Sequence, residues 1–400
     1  MASLPHDVLF EISSWLPAKA IYKFSSTSKF FSNFPRDKYF ALKQTQNSLS
    51  KIDTCLFFQP DLTQRYNNNI AELHHLSGED HSSGVSKVFI NFLANSAKIL
   101  SSSNGLILFR STSDNKDQLF ISNPATQTLL PIPIPDQLYT SVDADLKVVL
   151  QCDGQDNCMV FLFHDKEEDW CSNLECKVYA TKEGVWKKKE GSFFTGSRNL
   201  KFDMPVIHNG VVHYISDCFP YFTKDSPYYR PYIMAYNFEN GITTMLNVPK
   251  EARRGLHDIS CDMRIFKWGK VNSSMDQSIC LVRLRKCVFT IWVLTKYESS
   301  VWKKILKLRV KALGLIEKDP MVKGFSVMNG DLLVFATNKK VYGYGLSFSN
   351  ENYMRIEEIC EHGCDGSMVS FTSYSNTLRP CGGDDAKALL LTSTSFNEEL

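Results

Sequence analysis

The chain lacks a strong charge of either sign. Its 45 Lys and Arg almost cancel 43 Asp and Glu, leaving +2 over 400 residues. That is too little for a general field that would draw in nucleic acid or anionic lipid, although a local basic patch is still compatible with it. Long apolar runs are also missing. The longest, CVFTIWVL from Cys287 to Leu294, is far below the ~20 residues a membrane span needs, so neither nucleic acid nor membrane is an expected partner. The opening MASLPHDVLFEI carries Asp7 and Glu11 where a secretory leader needs an apolar core, which places the expected site of action in the cytoplasm or the nucleus. The 12 cysteines include no CxxC pair and read as reduced, buried small hydrophobes. Cys360, His362 and Cys364, in CEHGC, are the tightest cluster. A structural zinc normally takes four ligands from two separated pairs, so no metal is expected. Glycine-rich phosphate loops, HExxH and GxSxG are absent. The nine histidines are scattered, with His74 and His75 in a polar segment and His208 and His213 flanking a hairpin strand. The acidic run Asp165–Trp170 reads as a solvated loop. The chain is therefore expected to be no enzyme and to hold no cofactor.

The N-terminus is rich in apolar residues at helical spacing. Pro5 suits a first helical turn and Asp7 favours the positive end of the helix dipole. Leu4, Val8, Ile12 and Leu16 recur every four residues with Leu9 beside them. Pro17 restarts the pattern. Ala20, Ile21, Phe24 and Thr27 form a second stripe, Phe30, Phe31 and Phe34 a third, and RDKYFALKQT reads as one more short helix. So few helices cannot cover so much apolar surface by themselves. Two covers are open: the rest of the same chain, or a groove on another protein.

The run Leu4-Pro5-His6-Asp7-Val8-Leu9, with Glu11-Ile12, Leu16-Pro17-Ala18-Lys19, Ile21, Lys23-Phe24, Ser28-Lys29 and Phe31, resembles the F-box. That helical module binds the Skp-type adaptor of cullin-based ubiquitin ligases. The resemblance spans about forty ungapped residues. Lys23 and Ser25 stand where arginine is common, and Phe31 where the family prefers tryptophan. The resemblance implies an adaptor-facing set of Leu4, Pro5, Val8, Leu9, Ile12, Leu16, Pro17, Ile21 and Phe24.

From about Leu49 the pattern changes to strand-like runs of four to eight residues between turn residues, such as GLILF, MVFLFH, YIMAYN, CVFTIWVL and DLLVFAT. This indicates an all-β sandwich, barrel or propeller. Asn-Gly before an apolar strand occurs at Asn104-Gly105, Asn209-Gly210 and Asn329-Gly330, and Trp-Lys-Lys lies between them at Trp186 and Trp302. Asn-Gly supplies the positive φ angles of a tight hairpin. The alternation suits the blades of a propeller, six or seven of them at 45–55 residues each. The expected architecture is a small all-α unit over 1–46, a short link QTQNSLSKID, and a large all-β unit over 47–400 ending in a tail.

The words Ser103-Asn104-Gly105-Leu106-Ile107, Ile121-Ser122-Asn123-Pro124-Ala125-Thr126, Leu130-Pro131 and HNGVVHYI, and the tyrosine-bearing strand before Glu239, resemble the plant F-box-associated domain, related in layout to Kelch-type propellers. Together with the F-box this implies the substrate-recognition subunit of an SCF-type ligase, with a Skp-type adaptor, through it a cullin, and an unknown target protein as partners. The loop FPYFTKDSPYYRPYI offers Tyr221, Tyr228, Tyr229, Arg230 and Tyr232. These residue types are enriched in interface hot spots, though packing between blades would use them equally well. Arg253 and Arg254 are a second candidate. Rival readings are an adaptor-binding regulator without a role in degradation and a glycan-binding propeller.

Overall fold

A computed structural model of the chain describes residues 4–49, 55–60, 72–76, 85–113, 116–135, 146–153, 157–165, 172–218, 226–253, 260–269, 277–346, 356–364, 368–382 and 389–390. Four helices open it: α1 (His6–Ser14), α2 (Ala18–Ser25), α3 (Lys29–Ser32) and, after a 3-10 turn at Phe34–Arg36, α4 (Lys38–Leu49). Pro5 and Pro17 cap α1 and α2, each just before the first helical residue, where a missing N–H costs nothing. The Ser28 side chain caps α3 by accepting from the N–H of Phe30. Helix α4 runs past residue 46 to Leu49, so the first half of the expected link is helix instead.

The remainder is a six-bladed β-propeller. Blade one holds Ala97–Ser103, Leu106–Ser113, Lys116–Asn123 and Thr128–Ile132, with Leu389–Leu390 added at its edge. Blade two is Lys147–Cys152, Cys158–Asp165, Asn173–Ala180 and Val185–Lys188, and blade three is Val206–His208, Val211–Ile215, Tyr232–Asn237 and Thr243–Asn247. Blade four is Asp262–Trp268, Ser278–Arg285, Val288–Lys296 and Val301–Arg309, and blade five is Gly324–Met328, Leu332–Ala336, Lys340–Gly345 and Ile356–Glu361. Blade six closes the ring from both ends of the chain: Val369–Tyr374 pairs with Cys55–Pro60, which pairs with Glu72–His75. Helix α5 (Lys87–Ser96), which the strand-like pattern did not suggest, packs Phe89, Phe92 and Leu93 between blades six and one.

Each pair of neighbouring blades shares its own apolar core. Val148 and Leu150 face blade one while Val149 faces blade three; Leu56 and Phe58 face blade five while Cys55 and Phe57 face blade one. Both faces of a strand are thus buried, which is why these runs are continuously apolar rather than alternating.

The two recurring motifs have structural assignments. The Asn-Gly pairs turn the inner strand of blades one, three and five into the second strand, with φ of 51° and 81°, 50° and 73°, and 55° and 75°. The tryptophans sit on the outer strands of blades two and four. Trp186 Nε1 donates to the carbonyl of Pro133 at 2.5 Å, and Trp302 Nε1 to that of Asn247 at 2.8 Å, each reaching the outer edge of the preceding blade.

Candidate functional site

The helices have two distinct apolar faces. One is buried: Ala18, Ile21, Phe34, Phe40 and Ala41 form a cluster with Ala125 and Leu378 of the propeller, and Phe10, Leu16, Phe30 and Phe31 lean on it. Phe34 and Phe40 stack at 4.3 Å. Polar ties align the same face. Gln44 Nε2 donates to the Leu16 carbonyl at 3.0 Å, its Oε1 accepts from the N–H of Leu378 at 2.9 Å, and Asn47 Nδ2 donates to Ser14 Oγ at 2.7 Å. Gln44 stands where the expected short helix meets the expected link, and Asn47 lies within that link. Nothing in their spacing reveals that they are buried.

The other face is open. Leu4, Val8, Ile12 and Phe24 expose 54%, 38%, 52% and 43% of their surface, with Trp15 beside them at 46%. Pro5 and Pro17 are exposed, and Leu9 and Leu16 half-buried. Ile21 has to leave the surface set: at 1% exposure it lies in the cluster under α2, because its position on that helix points toward Phe40 and Leu378. Of the two covers considered from the sequence, the propeller supplies one for the first face, and the second face is left to solvent.

A channel of 1130 Å³ runs between the inner strands of the six blades. These strands all run from a first mouth to a second. At the second mouth Asn104 Nδ2 donates to the Cys152 carbonyl at 2.9 Å and the N–H of Gly269 to the Gly330 carbonyl at 3.2 Å, joining strand ends of neighbouring blades. The helices sit at this second mouth, since Thr377, adjacent to Leu378, packs against Gly105. The first mouth holds the strand beginnings, with Lys98, Lys147 and Arg264, and the preceding residues Arg198 and Lys201. There Asp262 accepts from Arg264 Nε at 2.8 Å and from Lys201. Burial alone would push the Asp262 carboxyl up, but the two cations and their hydrogen bonds outweigh it and hold its pKa at about 2.

Arg198, 3% exposed, ties the tyrosine loop to this mouth. Its Nε donates to the Tyr228 carbonyl at 3.0 Å, one terminal nitrogen to the Tyr229 carbonyl, and the other to Asp217 Oδ1 at 2.9 Å.

A model of the F-box domain matches residues 1–43, and a model of the β-propeller of At3g26010-like F-box proteins matches residues 63–325, well over half the chain. The chain belongs to the At3g26010-like F-box propeller family. Similar proteins of Arabidopsis thaliana include F-box protein At5g49610, 23% identical over 95% of this chain and 98% of its own length, and F-box protein CPR1, 22% identical over 96% and 91%. Among solved structures, a DUF4784 family protein from Bacteroides caccae aligns with a TM-score of 0.39 and 10% identity over 81% of this chain and 75% of that one, too distant to carry an argument. The family match corrects one reading. The propeller is of the At3g26010-like type, not the Kelch-like F-box-associated domain that the short sequence words resembled.

In this F-box propeller the expected target loop is only partly a surface. Tyr232 must be withdrawn: it is 1% exposed, and its hydroxyl donates to the Thr195 carbonyl at 2.9 Å and accepts from the Arg198 N–H at 3.0 Å. Tyr228 is half-buried against Phe194 and Tyr232, Tyr229 is half-buried and Arg230 is exposed. Tyr221, Arg254 and residues 166–170 of the acidic run lie outside the described residues. Arg253 Nε donates to the Val248 carbonyl at 3.0 Å, which makes it a structural brace. In the CEHGC cluster His362 Nε2 donates to the Thr337 carbonyl at 3.1 Å and Nδ1 accepts from the N–H of Cys364 at 3.3 Å, so both ring nitrogens serve the backbone. Burial pushes the Cys360 thiol up to about 12.

Proposed function

We propose that this protein is a non-catalytic substrate receptor of an SCF-type ubiquitin ligase, working in the cytoplasm or nucleus. Helices α1 and α2 would hold a Skp-type adaptor, and through it a cullin, through Leu4, Pro5, Val8, Leu9, Ile12, Leu16, Pro17 and Phe24. The propeller would hold a target protein. The observation that carries this reading is the division of the helical module into two apolar faces, one seated on the propeller and one exposed. Monomeric proteins seldom leave a contiguous apolar patch without a use for it. The contribution to chemistry is proximity: holding target lysines near a charged conjugating enzyme raises their effective concentration.

The test is co-purification of the full chain with a Skp-type adaptor, compared with the double variant Leu4→Ala/Ile12→Ala. Binding that the double variant loses, while its circular dichroism stays that of the intact chain, supports the reading. A folded intact chain that binds no adaptor overturns it. If the adaptor binds but client half-lives do not change when the protein is removed, the protein is a regulator and not a degradation receptor.

A further inference from the structure

Cys152 ends the inner strand of blade two, Cys158 opens its second strand, and the two are direct partners across the hairpin. Their sulfurs lie 2.6 Å apart. Their backbone groups face away from each other. The Cys152 N–H donates to Ser103 Oγ at 3.1 Å, and its carbonyl accepts from Asn104 Nδ2 at 2.9 Å. The Cys158 N–H donates to Thr181 Oγ1 at 3.3 Å, and its carbonyl accepts from the Thr181 N–H at 3.0 Å. This is a non-hydrogen-bonded position of an antiparallel pair, where Cα atoms stand about 4.5 Å apart. A disulfide spans roughly 4.4–6.8 Å between Cα atoms, so one fits here without moving the backbone or breaking a ladder bond.

Arg379, 0% exposed, clamps the same turn. Its Nη1 donates to the Asp153 carbonyl at 2.7 Å and its Nη2 to the Asn157 carbonyl at 3.2 Å, with Asp153 Oδ1 at 3.4 Å. Nε finds no oxygen acceptor among the described residues, and the guanidinium bonds to the Cys158 sulfur. A buried cation is costly unless an anion meets it, and the Asp153 side chain is 42% exposed. A thiolate at Cys158 supplies a buried anion. The hydrogen bond from Cys152 and then Arg379 hold the Cys158 pKa down against its burial, while burial drives that of Cys152 up. Cys381, in the same core between blades one and two, bonds to Thr128 instead and is pushed up to about 12. Buried cysteines of that kind are inert, whereas a thiol beside a cation is a nucleophile. Cys218 and Cys261 make another thiol contact, but they belong to separate blades and share no strand register.

We infer that Cys152 and Cys158 form a peroxide-reactive dithiol, with Cys158 the attacking thiol and Cys152 the resolving one. The Cys158 thiolate attacks one oxygen of hydrogen peroxide. The O–O bond breaks, a sulfenic acid forms, and the leaving hydroxide takes up a proton as water. The Cys152 sulfur then attacks the sulfenic sulfur, the S–O bond breaks, and a second water leaves. Two thiols and one peroxide thus give one disulfide and two waters, with sulfur oxidised and oxygen reduced. Cys152 keeps 7% exposure and Asp153 beside it is exposed, so the pair lies one residue inside the surface. An opening that narrow suits hydrogen peroxide, little larger than water, and not a bulky disulfide such as oxidised glutathione.

The experiment treats the reduced, folded full chain with hydrogen peroxide, then blocks remaining thiols with iodoacetamide under denaturing conditions. Trypsin releases both cysteines in one peptide, Val148 to Lys166. Mass spectrometry should find that peptide two hydrogens lighter and unalkylated, while Cys381 is alkylated, and dithiothreitol should restore both thiols. Oxidised glutathione should leave the peptide reduced over the same period. In Cys152→Ala, dimedone should capture a sulfenic acid on Cys158; in Cys158→Ala it should capture none on Cys152. Arg379→Gln, checked for folding by circular dichroism, should slow the reaction about tenfold, the thiolate fraction lost for each unit of pKa. Should that variant not fold, the pH profile of the parent decides the same point. A rate that levels off below the ordinary thiol value of 9.0 supports the assignment, and one that is still rising above it overturns it. A peptide that stays alkylatable, oxidation of Cys381 to the same extent, equal reaction with oxidised glutathione, or capture on Cys152 instead of Cys158 also overturns it.

Discussion

The N–H of Leu378 donates to Oε1 of Gln44 at 2.9 Å, joining helix α4 to the propeller across 334 residues of chain. The same amide donates through Nε2 to the Leu16 carbonyl at 3.0 Å and to Ser48 Oγ at 2.7 Å. One buried side chain thus ties the end of the α1–α2 turn, its own helix and the propeller together. The helical module is seated, and a partner bound to its open face would be held in a fixed direction relative to the channel.

Gln44→Ala tests that seat. It leaves the buried Leu378 N–H without its acceptor, and an unsatisfied buried donor costs about 1–3 kcal/mol. The expected result is faster hydrogen exchange and proteolysis across residues 16–49 while the propeller amides keep their protection. Uniform loss across the chain would instead mean that the seat and the propeller unfold as one unit.

The two apolar faces should separate in stability and in binding. Leu4 and Ile12 are about half exposed, so Leu4→Ala and Ile12→Ala should change the urea midpoint little and adaptor capture greatly. Ile21→Ala removes a side chain that is 1% exposed and should cost about 2–5 kcal/mol. Were Ile21→Ala to weaken the adaptor without lowering stability, the assignment of faces would be wrong.

The propeller was legible because its apolar runs are short and its Asn-Gly and Trp-Lys-Lys words recur in alternating blades. Each word marks a local event, a turn or a stitch, that leaves a local trace. The helical stripes were legible for the same reason, and the family pattern picked out Leu4, Val8, Ile12 and Phe24, which are exposed, together with Ile21, which is not. What could not be read were contacts between residues far apart in sequence. Ile21 looks like any other member of its stripe until Leu378 arrives opposite it, and Tyr232 looks like a loop tyrosine until Thr195 takes its hydroxyl.

The tryptophan stitches make a second, independent test of the blade reading. Trp302→Phe and Trp186→Phe each keep the ring and remove one hydrogen bond to the preceding blade. Each should cost about 0.5–1.5 kcal/mol in urea unfolding. The two lie in different blade pairs, so the double variant should equal the sum within about 0.5 kcal/mol.

His213 makes the propeller acid-sensitive. It is fully buried, with Nδ1 donating to the Val206 carbonyl at 3.1 Å and Nε2 accepting from the Tyr297 hydroxyl of blade four at 2.7 Å. Burial pushes its pKa down from 6.5 to about 4. Between those values the unfolded chain takes up a proton that the folded chain refuses. Stability should therefore fall as pH drops from 6.5 to 4, by about 3 kcal/mol at most, and this term should be flat above 6.5. His208, lowered by burial and by Lys267, acts in the same direction, whereas Asp262 contributes only below its ordinary 3.8. Urea titrations of His213→Gln across this range should show a shallower slope than the parent, and an unchanged slope would remove His213 from the account.

The repeated Asn-Gly turns offer a matched pair of glycines. Gly210, φ +73°, has open space where a Cβ would go, while at Gly330, φ +75°, a Cβ would lie 2.0 Å from the Gly269 carbonyl oxygen in the neighbouring blade. Gly210→Ala should cost only the left-handed backbone term, about 1–2 kcal/mol. Gly330→Ala adds a clash with backbone and displaces the Gly269 N–H from the Gly330 carbonyl, so it should cost at least about 2 kcal/mol more. The comparison isolates blade contact from turn conformation, because the turn residues and their dihedral angles are nearly the same. Equal losses for the two variants would mean that blades four and five can separate at the second mouth without penalty, and that contact would then not be part of what holds the ring closed.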